Sequence, residues 1–425
     1  MQLIANPVLL HRDSVFKPIL IFSSLLLCFF GNSPGWFCRV CTGDEPLRYI
    51  IPERDAASPF SRSDRLGAVV VGDVPLLHTG QLFPLNADET VLETQFDDLL
   101  QQLTSLLNSF GSNQSLLVRV HICCLNDDVA SKTRVLLERR FTRDKCPAVT
   151  CVVSQLPKPG ALLALDAVAV CQTAPSDQVQ GTSQGKVLPP GRRIFVAGQA
   201  EQSESLSEAT AKTLDSLEAT LKALGRSRND IVQLKAFVMP MSDARVVSDT
   251  VNSWYQGQSV PPLVLVEWKS SITTPVEIEL VAWGGKSQPT DSRIEFLTPP
   301  GMTTSPIYSR VVQISSPELI YTDGFLQQTS GDSVDPNSPI SGEREVSAMF
   351  GALERVLKAG RSDLRHLVKA TYYVSTDSSS VALNKLRPNY YDPKRPPSAS
   401  KAVVTSVGDP ALGLLVDMIA IPTQM

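Results

Sequence analysis

Leu76–Pro84 (LLHTGQLFP), Ile194–Gln202 (IFVAGQAEQ) and Ile320–Gln328 (IYTDGFLQQ) are three versions of one short phrase. Each is an apolar stretch that stops at a small residue, a glycine and a brief turn, the pattern of a buried strand ended by a tight bend. Downstream of each, apolar residues recur at three- and four-residue spacing, as on the buried face of a helix. They are Phe96, Leu99, Leu100, Leu103, Leu106, Leu107 and Phe110 in the first copy, and Leu214, Leu217, Leu221 and Leu224 in the second. The third copy has Met349, Leu353, Val356 and Leu357. Gly225 and Gly360 sit just past the last two of these runs, where a helix C-terminus favours glycine.

The phrase continues in the same order. A second strand follows each helix: Leu116–Leu125 (LLVRVHICCL), Asp230–Met239 (DIVQLKAFVM) and His366–Ser375 (HLVKATYYVS). After a polar segment with a second helical pattern, a proline-containing entry opens a strand at Cys146–Val153, Val260–Trp268 and Pro396–Val404. Closing strands lie at Ala164–Val170, Glu277–Trp283 and Val416–Ile421. Internal repetition of whole elements decides the architecture before any motif does. The reading is an α+β chain of three tandem modules, 48–172, 191–285 and 293–425. A leader at 1–47 precedes them, and linkers at 173–190 and 286–292 separate them. The middle module reads as shortened, because its glycine turn follows directly on the linker.

Length and composition agree. At about 150 residues per domain, 425 residues hold about three domains. A hydrophobic share of 43% excludes a disordered chain. With 39 Lys+Arg against 43 Asp+Glu, the net charge is −4, which speaks against a nucleic-acid partner.

The order strand, glycine turn, helix, strand, helix, strand, strand resembles the reactive-intermediate deaminase family, the YjgF/YER057c/UK114 (RidA) group. The nearest strings are Val196–Gln199 (VAGQ), Val368–Val374 (VKATYYV) and Val276–Trp283 (VEIELVAW). The resemblance implies α+β subunits that assemble as trimers around a barrel-like core of sheets, with ligand pockets in the clefts between subunits. Three copies in one chain then imply a covalent pseudo-trimer that is monomeric in solution, with a small-molecule ligand in the inter-module clefts. Tethering makes association intramolecular and lets the interfaces diverge.

The resemblance also implies imine and enamine hydrolysis to a 2-oxo acid and ammonia. The family's Arg at the entry to the penultimate strand holds the substrate carboxylate with a planar two-pronged fork. Here that position is Val149, Leu263 and Ser398, so all three copies lack the clamp. The family's last-strand Glu, which helps position the attacking water, falls on Ala164, Glu277 and Leu415. Only Glu277 keeps it. The aromatic of the family's N-terminal loop matches Phe60 and Tyr308, and Thr322 on the glycine-turn strand is expected beside Ser398. The expected function is therefore a divergent small-metabolite binder or pseudoenzyme. Alternatives are an active imine deaminase with a rebuilt pocket, and a structural or partner-binding scaffold. No cofactor and no metal are expected, since His11, His78, His121 and His366 have no metal-binding spacing.

Compartment is the open point. Residues 18–30 (PILIFSSLLLCFF) are too short to span a bilayer but suit a signal-peptide core, without a clean cleavage site after them. The chain is read as cytoplasmic without a stable membrane span. Export or anchoring through 18–30 is the alternative. Cys38 and Cys41 have CxxC spacing without a second pair, and the remaining cysteines read as small core residues.

Overall fold

The computed structural model describes residues 46–51, 67–87, 90–172, 177–324 and 339–423. The apolar segment 18–30, Cys38, Cys41, Phe60 and most of the polar insertion 330–343 lie outside the described residues. Among the described residues, no helix is long and apolar enough to cross a membrane.

One order of elements runs three times along the chain. The first run is β1 (Leu47–Ile50), β2 (Ala68–Gly72), β3 (Leu76–Thr79), α1 (Leu92–Ser109), β4 (Leu117–Cys124), α2 (Asp127–Arg140), β5 (Ala148–Val153) and β6 (Leu163–Val170). The second is β7 (Gln180–Gly181), β8 (Gly185–Leu188), β9 (Arg192–Gln199), α3 (Leu206–Ala223), β10 (Ile231–Val238), α4 (Ala244–Trp254), β11 (Leu263–Glu267) and β12 (Val276–Gly285). The third is β13 (Ile294–Leu297), β14 (Val311–Ile314), β15 (Glu318–Thr322), α5 (Pro339–Ala359), β16 (Leu367–Val374), α6 (Asp377–Tyr390), β17 (Ser398–Val403) and β18 (Leu414–Ala420).

Local chemistry explains where the helices start. The Asn126 side chain accepts from the Val129 N–H at 3.0 Å, and Thr376 Oγ1 accepts from the Ser379 N–H at 3.2 Å. Each satisfies one of the donors that a helix N-terminus leaves free. Asp127 and Asp128 in the first turn of α2, with Arg139 and Arg140 in its last, complement the helix dipole.

Two corrections concern the second run. The stretch 173–190, read as a linker, carries β7 and β8, and β8 pairs antiparallel with β3 from Leu76↔Leu188 to Thr79↔Gly185. The middle run is therefore not short of its opening strand. Gly185–Leu188 is too short and mixed to show a period of its own, and it becomes a strand because β3 offers it an open edge.

Pairing gives three six-stranded sheets, in the orders β1-β2-β15-β18-β16-β17, β5-β4-β6-β3-β8-β7 and β11-β10-β12-β9-β14-β13. No pairing among the described residues closes them into one continuous barrel, and each sheet keeps its own edges. Every sheet is composite. β2 and β3 are separated by only Asp73–Pro75, yet β2 pairs with β15 and β3 with β6 and β8. Likewise β8 and β9 lie in different sheets, as do β14 and β15. Each opening hairpin thus completes the sheet of a different run.

The helices cover the outer faces. Successive strand residues point to opposite faces, and the adjacent cysteines of β4 divide accordingly. Cys124 packs in the helix-side core with Leu99, Leu103 and Leu137, whereas Cys123 packs inward with Phe237 and Tyr373. A central apolar cluster draws on all three sheets, with Val118, Phe195, Val281, Tyr321 and Ile419 among its members. Phe195 is 1% exposed. Its replacement by Ala should cost about 3–5 kcal/mol. Because strands are exchanged, denaturant unfolding of that variant, followed by circular dichroism and by fluorescence, should remain one coincident transition. Separate transitions would contradict the interlocked arrangement.

Candidate functional site

Each glycine turn meets the proline-entered strand of another sheet, so three clefts arise, each built from two runs of the chain. Their chemistry differs. In the first, the third run's turn closes on β5: the Val149 N–H donates to Asp323 Oδ1 and the Gly324 N–H to the Val149 carbonyl, both at 2.8 Å. In the second, the Gln81 N–H donates to the Leu263 carbonyl at 3.2 Å. The Gln81 amide also bonds the Leu265 carbonyl and N–H, at 3.1 Å each. A backbone edge bonded in this way offers fewer free groups to a ligand.

The third cleft is different. There the Gly198 turn faces β17, and the Gly198 N–H donates to Ser400 Oγ at 3.1 Å. Glu277, on β12, lies directly against Gly198: a Cβ added to that glycine would overlap the Glu277 carboxylate. Close approach, not a special backbone angle, is what requires glycine here. In the first cleft the corresponding space beside Gly324 is taken by Leu415. Ser398 is fully buried in the third cleft, and its Oγ has no hydrogen-bond partner. Ser309 ties the neighbouring loop down, donating from its N–H to Pro397 (2.9 Å) and from its Oγ to Pro396 (2.7 Å). Tyr308, partly buried beside it, has the Arg310 guanidinium 4.9 Å from its ring centroid.

Burial pushes the Glu277 carboxyl up to about 7, reinforced by the negative charge of Glu279; the Ser400 hydroxyl and Lys369 oppose the rise. A carboxyl poised there can take or give a proton near neutral pH. Ser400 touches both glutamates, and Glu279 forms an ion pair with Lys369 at 2.6 Å. A polar chain therefore runs from the cleft into the molecular centre.

That centre is a polar layer within the apolar cluster. Arg119 of β4 pairs with Asp417 of β18, Lys369 of β16 pairs with Glu279 of β12, and Gln233 of β10 donates to the Thr79 carbonyl of β3 at 3.0 Å. His121 binds Asp166 at 2.7 Å, and the Tyr373 hydroxyl lies 3.3 Å from both His121 Nε2 and Lys235 Nζ. A cavity of about 20 Å³ opens among His78, Arg119, Gln233, Lys235, Glu279 and Lys369, room for one or two waters. Burial pushes His78 down to about 4 and lowers Lys235, whose ionisation the nearby Arg119 further disfavours.

The structure thus brings Glu277 to the Gly198 turn and β17, the strand that carries Ser398, places Tyr308 against the helix-side core of the third run, and leaves Val149 and Leu263 at the other two clefts. Thr322 is a correction. Its hydroxyl lies 3.2 Å from both the Met418 carbonyl and the Met418 N–H, and the turn it leads into packs on Val149. Exchange of strands, invisible in the sequence, sends that turn to another sheet. Ser400 and Gly198 join the site only through the fold, although two-residue alternation along Ser398-Ala399-Ser400 puts the Ser400 hydroxyl on the Ser398 face.

The pH consequence has a definite sign. A carboxyl whose folded value lies above its unfolded one stabilises below the unfolded value and loses that contribution as pH rises to the folded value. Between about pH 4.5 and 7 the wild-type chain should lose on the order of 2–3 kcal/mol of stability. In Glu277→Gln this loss should vanish, measured by urea unfolding across that range. An unchanged slope would refute the assignment.

Residues 179–283 match the model of the Endoribonuclease L-PSP family. No curated protein matches the chain. Among solved structures, a member of the YjgF/YER057c/UK114 family from Mycobacterium tuberculosis is 25% identical and covers 22% of this chain and 80% of its own, at a TM-score of 0.21. A YjgF-family member from Neisseria meningitidis is 16% identical over 30% of this chain and 97% of its own, at 0.20. A protein of the conserved Rid family from Yersinia pestis is 22% identical over 22% of this chain and 79% of its own, also at 0.20. Residues 179–283 are thus similar to the Endoribonuclease L-PSP family.

Proposed function

We propose that the protein is a divergent small-metabolite binder of this family, with all three runs of elements acting as family-type modules around a pseudo-threefold axis. Its working cleft is the third. The observation that carries the reading is the contrast between clefts. Val149 and Leu263 have their backbone edges taken up by Asp323, Gly324 and Gln81, whereas Ser398 keeps a buried hydroxyl without a partner. A buried hydroxyl left unbonded is costly, and a ligand that bonds it recovers the loss. Without an Arg at Val149, Leu263 or Ser398, a ligand carboxylate has no two-pronged partner. The ligand class is therefore an uncharged molecule offering hydrogen bonds to Ser398 and Glu277. The chain acts as a monomer in the cytoplasm, where buried thiols such as Cys123 and Cys124 remain reduced. An endoribonuclease role receives no support from the net charge of −4.

A second reading has one observation in its favour, the Glu277 carboxyl poised near 7. In it Glu277 takes a proton from water as the oxygen bonds to the carbon of a C=N group. Return of that proton to nitrogen gives a carbinolamine; Glu277 then carries the hydroxyl proton to nitrogen as the C–N bond breaks, which releases ammonia and leaves a carbonyl. One assay separates the two. A pyridoxal-phosphate enzyme supplies 2-aminoacrylate, and the semicarbazide-trapped signal is followed with and without this protein. The binder reading expects no added decay at catalytic protein levels, and Ser398→Arg, which restores a clamp, should be the variant that gains binding of 2-imino acids. Acceleration by the wild type that Glu277→Gln removes would replace the binder with a hydrolase. In light scattering, the chain should have the mass of one copy.

A further inference from the structure

The outward face of β17 carries an anomaly unrelated to the cleft. Arg387, in the last turn of α6, is 5% exposed, and no ion pair reaches it among the described residues. Its guanidinium lies 5.1 Å from the ring centroid of Tyr372 and touches that hydroxyl, and its Nε has no hydrogen-bond partner. Lys401 pairs in register with Tyr372 across β16 and β17, so the two side chains share a face. Its Nζ reaches only neutral groups of α6, Ser380 Oγ at 3.2 Å and Asn384 Oδ1 at 3.3 Å. Two cations therefore flank one tyrosine with no carboxylate between them.

The other two runs show what this seam holds by default. Counting from the ends of β4, β10 and β16, the position of Arg387 is Leu137 in the first run and Val251 in the second, both buried. Tyr372 corresponds to Ile122 and Ala236, and Lys401, by strand register, to Cys151 and Leu265. The corresponding aromatic position is kept throughout, as Phe141, Tyr255 and Tyr391. An apolar seam has thus been exchanged for a cationic one in the third run alone, although burying an uncompensated charge is strongly unfavourable. Burial and the nearby Arg387 both lower the Lys401 ammonium from its ordinary value, which an arriving anion would reverse.

We propose that Arg387 and Lys401, with the polar side chains of Ser380 and Asn384, form a binding site for a small oxyanion, beside the Tyr372 hydroxyl that is itself hydrogen-bonded to Tyr391. The site lies at the α6–β17 seam, on the face of β17 opposite Ser398 and Ser400. A planar guanidinium takes two oxygens of a phosphate or carboxylate and the ammonium a third contact. The mouth is open at Asn384 and Ser380, which are exposed and partly exposed. The site is independent of the third cleft and stands whether or not that cleft binds a ligand.

The test uses the full chain with inorganic phosphate and, separately, acetate, against sodium chloride at equal ionic strength. Acetylation of Lys401 is followed by mass spectrometry and thermal unfolding is measured in parallel. Phosphate or acetate should slow Lys401 modification at least tenfold relative to chloride and raise the unfolding midpoint; whichever acts identifies the oxyanion. Arg387→Leu, which restores the residue found at position 137, should abolish both effects while unfolding no earlier than wild type in chloride. Should that variant fail to fold, the wild-type labelling decides alone. Equal labelling rates in all three salts, or protection that survives Arg387→Leu, would overturn the site.

Discussion

Three short crossings, Asp73–Pro75, Pro189–Gly191 and Ser315–Pro317, hold this molecule in its form. Each takes the chain out of one sheet and into the next within a few residues, so no sheet is complete without strands from two runs. The crossings are themselves tied together. Asp73 accepts from the Gly191 N–H at 3.0 Å and from the fully buried Arg193 at 2.9 Å, which binds the first crossing to the second. Arg293 binds the third run's far end by donating to the Thr423 and Pro422 carbonyls at 2.7 and 2.9 Å. A domain swap between separate chains depends on concentration; here all the partners lie on one chain, and the exchange depends only on the tether.

The same closeness explains the polar layer at the centre. Arg119, Gln233 and Lys369 occupy matching places on β4, β10 and β16, and each reaches into a neighbouring sheet: to Asp417, to the Thr79 carbonyl and to Glu279. Three links thus run around the centre in one sense. Where Gln233 stands instead of a cation, Asp166 has lost its counterpart, and His121 of its own sheet bonds it instead. Burial pushes Asp166 up, but His121, Lys235 and Arg119 together outweigh it and hold the carboxyl below its ordinary value. Buried pairs of this kind add little net stability. Breaking one strands a charge in the core, so they fix which sheet faces which.

Divergence among the runs follows from that arrangement. Identical subunits would share one interface chemistry, whereas a single chain can close two clefts and leave a third polar. Asp323 and Gln81 close the clefts at Val149 and Leu263 with backbone hydrogen bonds. Gly198 makes room for the Glu277 carboxylate in the remaining one. The oxyanion site proposed at Arg387 and Lys401 belongs to the same pattern, a core seam made polar in one run only.

Periodicity and turn chemistry by themselves determined the main helices and the strands next to them. Leu214, Leu217 and Leu221 mark the buried face of α3, and the glycine turns at Gly80, Gly198 and Gly324 stand where strands end. That Val149, Leu263 and Ser398, rather than a cation, follow the three proline entries was equally plain from the chain. These are local facts, set by side-chain spacing and by the identity of single residues. Partnership was not local. Only the tertiary structure decided that Gly185–Leu188 is a strand, that Thr322 belongs with Met418 rather than Ser398, and that Ser400 joins Glu277 to Glu279. An unpaired sheet edge accepts any strand of suitable length that the tether can deliver, and its own sequence does not say which one arrives.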